Sequence, residues 1–321
     1  MIIESIQSIL NQTFSDFEFL IGDDGSDTGF SDIEEIFDDE RIIWIRNEKN
    51  IGITKTLNKL LGMAKGKYIA RMDADDISLP TRFEEQVRFM ERHKEFIASG
   101  TQAVFFGDKS GLRYYRDQSN IREETQAYLF FSNKAGLVHP SVVFCKSMLD
   151  KYNIRYDERY PLTQDYYMFV QCTKYAPIAT LPKVLVKYRR SGGQVTIAKN
   201  DMQVYYADCI RLEQLANLDI VPNEDEKKRH LSFCKWCMYG SIGDMHKWMD
   251  RLRQANHEKK YYNEQYFDIA VSDVWYVICA KEYRSGNKEF RWEYIKAMRP
   301  RLMLRRMVKK AKFHIIKYMN R

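Results

Sequence analysis

The chain has 321 residues, with 51 Lys and Arg against 44 Asp and Glu, a formal charge of +7. Eight of the basic residues and none of the acidic ones lie in 301–321, so the rest of the chain is close to neutral, which argues against a nucleic-acid-binding face. An apolar share of 45% excludes disorder, and no run approaches the ~20 apolar residues that cross a bilayer.

A helix containing Ile6 and Leu10 comes first. Residues 17–21, 42–45 and 68–72 read as buried strands. Between them, 54–65 has apolar residues at 57, 60, 61 and 64, the period of a helix, with Gly66 as its stop. Pro80 opens a further helix to about Arg92, in the N1 place that proline favours. Such alternation predicts an α/β domain around a mostly parallel sheet. Runs at 97–106, 137–145 and 178–188 read as later strands, and beyond Asn200 the chain is largely helical. The expected division is a sheet domain over 1–200 and a helical region over 201–321.

Ligands of open α/β sheets bind outside the carboxyl ends of the strands. Two acidic turns fall there: Asp23-Asp24-Gly25 after the first strand, and Asp73-Ala-Asp75-Asp76 after the third. The first is an ordinary turn if taken alone. In the second, three carboxylates within four residues repel one another unless a cation or a donor-rich ligand joins them. Carboxylates of this kind, with diphosphate oxygens, hold a hard Mg²⁺ or Mn²⁺. Asp165 stands in the first turn of another apolar-periodic helix, a place where Asp is common for capping alone.

Together these stretches resemble an inverting family 2 glycosyltransferase of GT-A fold, of the kind that builds bacterial capsule, exopolysaccharide or lipopolysaccharide. The resemblance runs through 8–26, Asn47-Glu-Lys-Asn-Ile-Gly52, 66–77 with Pro80 and Arg82, 139–144, and Gln164-Asp165-Tyr166. It implies a GT-A nucleotide-diphospho-sugar transferase, a Rossmann-like mostly parallel sheet flanked by helices, with a helical C-terminal extension. It also implies a UDP-sugar donor and a glycan or lipid-linked acceptor. Asp23 and Asp24 would line the nucleotide site, Asp24 bonding the imino N–H of the base. Asp73 would contact ribose or bound water and Asp75 would ligate Mn²⁺ or Mg²⁺. Asp165 would be the general base.

The sequence departs from that pattern in several places. Gln164 stands where a Glu is usual, and Tyr188-Arg-Arg-Ser191 lacks a usual His. His139 reads as a wall residue at a strand. The first strand and turn of the family are missing ahead of the first helix, and two expectations stand, a start lying upstream of Met1, which is favoured, or a truncated, inactive form. Two other readings stay open: a non-catalytic nucleotide-sugar-binding protein, and a metal-dependent nucleotidyltransferase.

Cys145, Cys172, Cys209, Cys234, Cys237 and Cys279 are expected as reduced thiols of a cytoplasmic protein, with Cys234 and Cys237 in the core. Residues 301–321 read as a basic amphipathic helix with two readings open. It is either a solvated terminal helix packed on the domain or an interfacial helix held to anionic lipid on the inner face of the plasma membrane, the second favoured by lipid-linked acceptors.

Overall fold

Apolar residues three and four apart give the first helix, α1 (Ile2–Leu10), one apolar face, on which Ile6 and Ile9 are buried. In the computed structural model the described residues are 1–27, 30–107, 113–114, 120–190 and 200–298. The expected basic helix at 301–321 and Ser191 lie outside them. After α1 come β1 (Phe19–Asp23), α2 (Phe30–Glu34), β2 (Ile42–Arg46) and α3 (Ile53–Met63). β1 and β2 pair in parallel, Phe19 opposite Ile42 and Asp23 opposite Arg46. Ile6 and Ile21 form the centre of a small core with Phe19 and Trp44. Gly22 allows α3 close to β1, because a Cβ there would stand 2.8 Å from Leu60 Cδ1.

A second sheet contains β3 (Tyr68–Ala70), β4 (Ile77–Ser78), β5 (Ala98–Gly107), β6 (Arg113–Tyr114), β7 (Val143–Cys145) and β8 (Ile178–Arg190). Its order is β3-β7-β5-β8-β4, with β6 paired on β5. The β5–β8 ladder is parallel, but β3–β7, β5–β7, β4–β8 and β5–β6 are antiparallel. The mostly parallel sheet expected from the sequence is therefore mixed. Residues 71–76 are too few to form the crossover that a parallel return needs, so β4 reverses direction. The strand expected over 137–145 shrinks to β7, because Pro140 lacks an N–H and 139–141 forms a 3₁₀ turn.

Helix α4 (Arg82–Arg92) begins two residues after Pro80, with Thr81 at the N-cap. Gln12 reaches across to accept the N–H of Phe83 at 3.0 Å. Helix α3 likewise stops at Ala64, ahead of Gly66.

The first compact unit comprises 1–120 and 136–206, and includes α6 (Lys146–Lys151) and α7 (Gln164–Tyr175). The second comprises 207 onward and also Ile121–Ala135, which contains α5 (Arg122–Leu129). The helical unit thus takes a segment from the middle of the sheet unit's sequence. The cause is apolar: Ala127, Phe130 and Phe131 are fully buried in one core with Phe233, Trp248 and Phe267. Its other helices are α8 (Asn200–Glu213), α9 (Glu224–Cys234), α10 (Ile242–Lys259), α11 (Glu264–Arg284) and α12 (Phe290–Ala297). Reciprocal capping boxes at Asn223/Glu226 and Ser241/Asp244 fix where α9 and α10 start.

All six cysteines are free. Burial pushes the Cys234 thiol up to about 12, as expected of a core residue. Cys237 is only half-buried, which corrects the expectation for that residue: Trp236, at φ 59°, ends α9 and turns the chain out of the core. No described helix is long and apolar enough to cross a membrane.

Candidate active site

β1 ends in the first acidic turn. Gly25 has φ +77°, and a Cβ there would lie 2.4 Å from the Lys49 carbonyl carbon. Only glycine lets this turn press against the 47–52 loop. Asp24 fastens that loop. Its Oδ1 accepts from Thr56 Oγ1 at 2.8 Å, Ile51 N–H at 2.9 Å and Asn47 Nδ2 at 3.0 Å, and its Oδ2 accepts from Gly52 N–H at 2.9 Å. Burial works against the charge, but these four donors outweigh it and hold the carboxyl below its ordinary value. Asp23 is buried, accepts Ser26 N–H at 3.0 Å, and lies 3.3 Å from Arg46 Nε.

β3 ends in the second. One carboxylate oxygen each of Asp73, Asp75 and Asp76 lies within 4.8 Å of the others. Arg71 forks onto Asp73 with both terminal nitrogens, one at 2.6 Å from Oδ2. Asp76 is buried. Its Oδ1 accepts the Arg189 N–H at 2.7 Å, while its Oδ2 is buried with no hydrogen-bond partner. Burial, with the charges of Asp73 and Asp75 behind it, raises this carboxyl to about 8 against the opposing Arg189 N–H. Arg189 also donates from Nε to the Asp75 carbonyl at 2.7 Å. Ser5 of α1 donates to the Asp73 carbonyl at 3.0 Å, and the fully buried Arg82 donates to the Arg71 carbonyl at 2.8 Å. The acidic turn is therefore held from three sides.

Asp165 is the second residue of α7 and accepts its neighbour's N–H, that of Tyr166, at 2.8 Å. Its charge acts on Arg71 and on the buried Tyr156, as does that of Asp73. Arg71 is thus set in the field of both acids. Tyr156 is raised above its ordinary value, chiefly by burial. Its hydroxyl is 3.0 Å from His139 Nε2, and burial with the Arg71 charge holds His139 well below its ordinary basicity. His139 is neutral and lies in the 3₁₀ turn 139–141 rather than on a strand. Gln164 Oε1 is buried without a partner.

The structure gathers Asp73, Asp75 and Asp76 at the end of β3 and places Asp23 and Asp24 at the end of β1, in the other sheet. Sequence reasoning gave no role to Arg71, Arg189 or Thr56. Arg71 was in plain view beside the acids, but an Arg two residues from an Asp says nothing about which way either points. Arg189 reaches Asp76 through its own backbone N–H, which carries no sequence signal, and Asp75 through its side chain.

Residues 1–153 match the family described as Glycosyl transferase family 2. An uncharacterized glycosyltransferase of Methanocaldococcus jannaschii is 36% identical over 214 residues, 63% of this chain and 71% of that protein. An uncharacterized glycosyltransferase of Haemophilus influenzae is 31% identical over 224 residues, 66% of this chain and 68% of that one. The crystal structure of S. aureus TarS residues 1–349 in complex with UDP-GlcNAc aligns over 92% of this chain and 86% of that chain. Its TM-score is 0.57 at 15% identity, a likeness of fold.

Proposed function

Because the chain belongs to glycosyltransferase family 2, we propose that it transfers a sugar, with inversion, from a UDP-sugar to a hydroxyl of a glycan or lipid-linked acceptor in cell-envelope polysaccharide assembly. The observation that carries this reading is the triad of carboxylates after β3, with Asp76 Oδ2 buried and unpaired. An all-oxygen donor set containing one orphaned carboxylate oxygen fits a hard divalent cation, Mn²⁺ or Mg²⁺. Asp75 and Asp76 would hold it, since Arg71 already engages both oxygens of Asp73. When bound, such an ion neutralises charge on the departing diphosphate.

The chain's own residues do the rest. Asp73, oriented by Arg71, presents its remaining acceptor capacity to the ribose. Asp23 and Asp24 border the nucleoside end, where Asp24 acts by shaping the 47–52 loop that its four hydrogen bonds hold. Asp165 takes the proton from the acceptor hydroxyl as that oxygen attacks the anomeric carbon on the face opposite the diphosphate. This route gives inversion without a covalent enzyme intermediate, and a base so placed contributes about 10²–10⁴-fold. Burial keeps His139 neutral and Tyr156 protonated, and no proton-transfer step is assigned to either.

Residues 301–321, with eight basic residues and no acid, are proposed to hold the enzyme on anionic lipid where lipid-linked acceptors reside.

The test is UDP release from a panel of UDP-sugars with Mn²⁺ and with EDTA. Release that needs the cation supports the reading. Binding of UDP-sugar with no turnover identifies a non-catalytic binding protein. Pyrophosphate formed from UTP and a sugar 1-phosphate identifies a nucleotidyltransferase.

A further inference from the structure

Within the helical unit, α12 is held firmly on one side and bare on the other. Phe290 is buried, with its ring 6.1 Å from that of Trp275 in α11. Tyr294 stacks on Tyr283 at 5.6 Å, and the Glu293 carboxylate lies 2.9 Å from His246 Nε2. These contacts fix the rotation of the helix about its axis. Successive residues of a helix turn by about 100°, so the outward side carries, in order round the axis, Arg291, Ile295, Trp292 and Lys296. All four are exposed, Trp292 to 65% and Ile295 to 42%. An apolar pair thus stands in the middle with a cation on each side. The Arg291 guanidinium lies 5.8 Å from the Trp292 ring centre, and Lys296 Nζ reaches Glu293 Oε1 at 3.2 Å.

A lone exposed apolar residue needs no explanation, but an indole beside an isoleucine does. The other tryptophans are covered: Trp44 and Trp236 are half-buried, and Trp248 and Trp275 are buried. The surrounding charge indicates what meets this one. The exposed charged residues from 281 to 298 are Lys281, Arg284, Lys288, Arg291 and Lys296 against Glu289. The sequence over 301–321 continues with eight basic residues and no acid. A protein partner is usually met by both signs of charge set in register. One sign around an amphipathic indole is instead the pattern of a helix lying on anionic lipid. The long apolar stems of Lys and Arg suit that place, since they let the charged heads reach outward to phosphate.

We propose that the outward side of α12 enters the headgroup layer of an anionic bilayer. Trp292 and Ile295 reach the acyl boundary, and Arg291 and Lys296 meet lipid phosphates. The inference rests on the attachment proposed for 301–321 and adds an apolar part to it, carried by the folded helical unit. Charge alone gives an attachment that salt screens beyond about 10 Å. Two apolar side chains alone bind marginally, and stable anchoring takes two signals. The tail supplies one and α12 the other.

The experiment mixes the full chain with vesicles of phosphatidylcholine alone, or with added phosphatidylglycerol, whose acyl chains carry bromine that quenches nearby indoles. Wild type is compared with Trp292→Phe and with the double variant Trp292→Ser/Ile295→Ser. All these side chains lie outside the core, so an unchanged thermal midpoint checks the fold. The wild type is expected to bind the anionic vesicles and to lose tryptophan fluorescence there. Trp292→Phe is expected to keep the binding and lose most of the quenching, while the double variant binds about tenfold more weakly. Wild-type binding without quenching, matched by the double variant, overturns this inference and leaves the attachment by 301–321 standing. Binding to neither vesicle overturns both and leaves the proposed sugar transfer untouched. Self-association that the double variant loses, with vesicle binding unchanged, overturns the inference in favour of a second copy on this face.

Discussion

The buried Asp76 carboxyl gives the sharpest energetic expectation. Its folded value is raised from 3.8 to about 8. Between those limits the unfolded chain has released the proton and the fold retains it. The resulting stability is full below the unfolded value and is lost as pH rises through the folded one, at about 1.4 kcal/mol per pH unit. From about pH 5.5 to about pH 7.5 the cation-free protein therefore loses roughly 3 kcal/mol through this group. For a unit of this size that is about 6–12 °C in the thermal midpoint. Asp76→Asn mimics the protonated acid, because its carbonyl oxygen can still accept the Arg189 N–H and its amide replaces the oxygen that has no partner. Thermal unfolding in EDTA at both pH values, wild type against Asp76→Asn, isolates the contribution of this carboxyl. The variant is expected to be the more stable protein at the higher pH and to gain little at the lower. In the wild type, Mn²⁺ at about 100 times its dissociation constant restores about 2.7 kcal/mol, and in the variant much less. An equal pH slope in the two proteins refutes the reasoning.

Other consequences follow from the same geometry. Asp24→Asn turns one acceptor into a donor facing either Gly52 N–H or the Oδ1 donors, a loss of about 1.5–3 kcal/mol that denaturant unfolding reads. The wild type loses its own contribution from Asp24 only as pH falls below about 4, since a lowered carboxyl stabilises above its ordinary value. Gly25→Ala combines φ +77° with a Cβ 2.4 Å from backbone, so the turn and the 47–52 loop must shift; calorimetry is expected to show weakened UDP binding and a stability loss of about 1–3 kcal/mol. Removing 301–321 is expected to release the protein from anionic vesicles, with each Lys or Arg worth ~1 kcal/mol; unchanged partitioning assigns the tail another role.

Much of the GT-A fold and of the candidate site was legible because the signals were local. Short apolar runs marked β1, β2 and β5 to within two residues, and the acidic turns stand at strand ends where ligands bind. Strand direction was not legible, since antiparallel β4 and β7 depend on how 71–76 and Pro140 turn the chain. Nor was the capture of Ile121–Ala135 by the helical unit, because Phe130 and Phe131 would suit either core equally well. The Arg71–Asp73 fork and the Arg189 backbone bond to Asp76 join residues through side-chain direction and sheet pairing, neither of which composition records.

The division of labour between the two sides of the site is tested most directly by Asp75→Asn and Asp165→Asn, measured side by side for UDP-sugar affinity and for turnover with Mn²⁺. Asp165→Asn is expected to bind donor as the wild type does but to turn over about 10²–10⁴-fold more slowly, while Asp75→Asn is expected to lose the response to the cation and bind donor weakly. Turnover undiminished in Asp165→Asn contradicts that division.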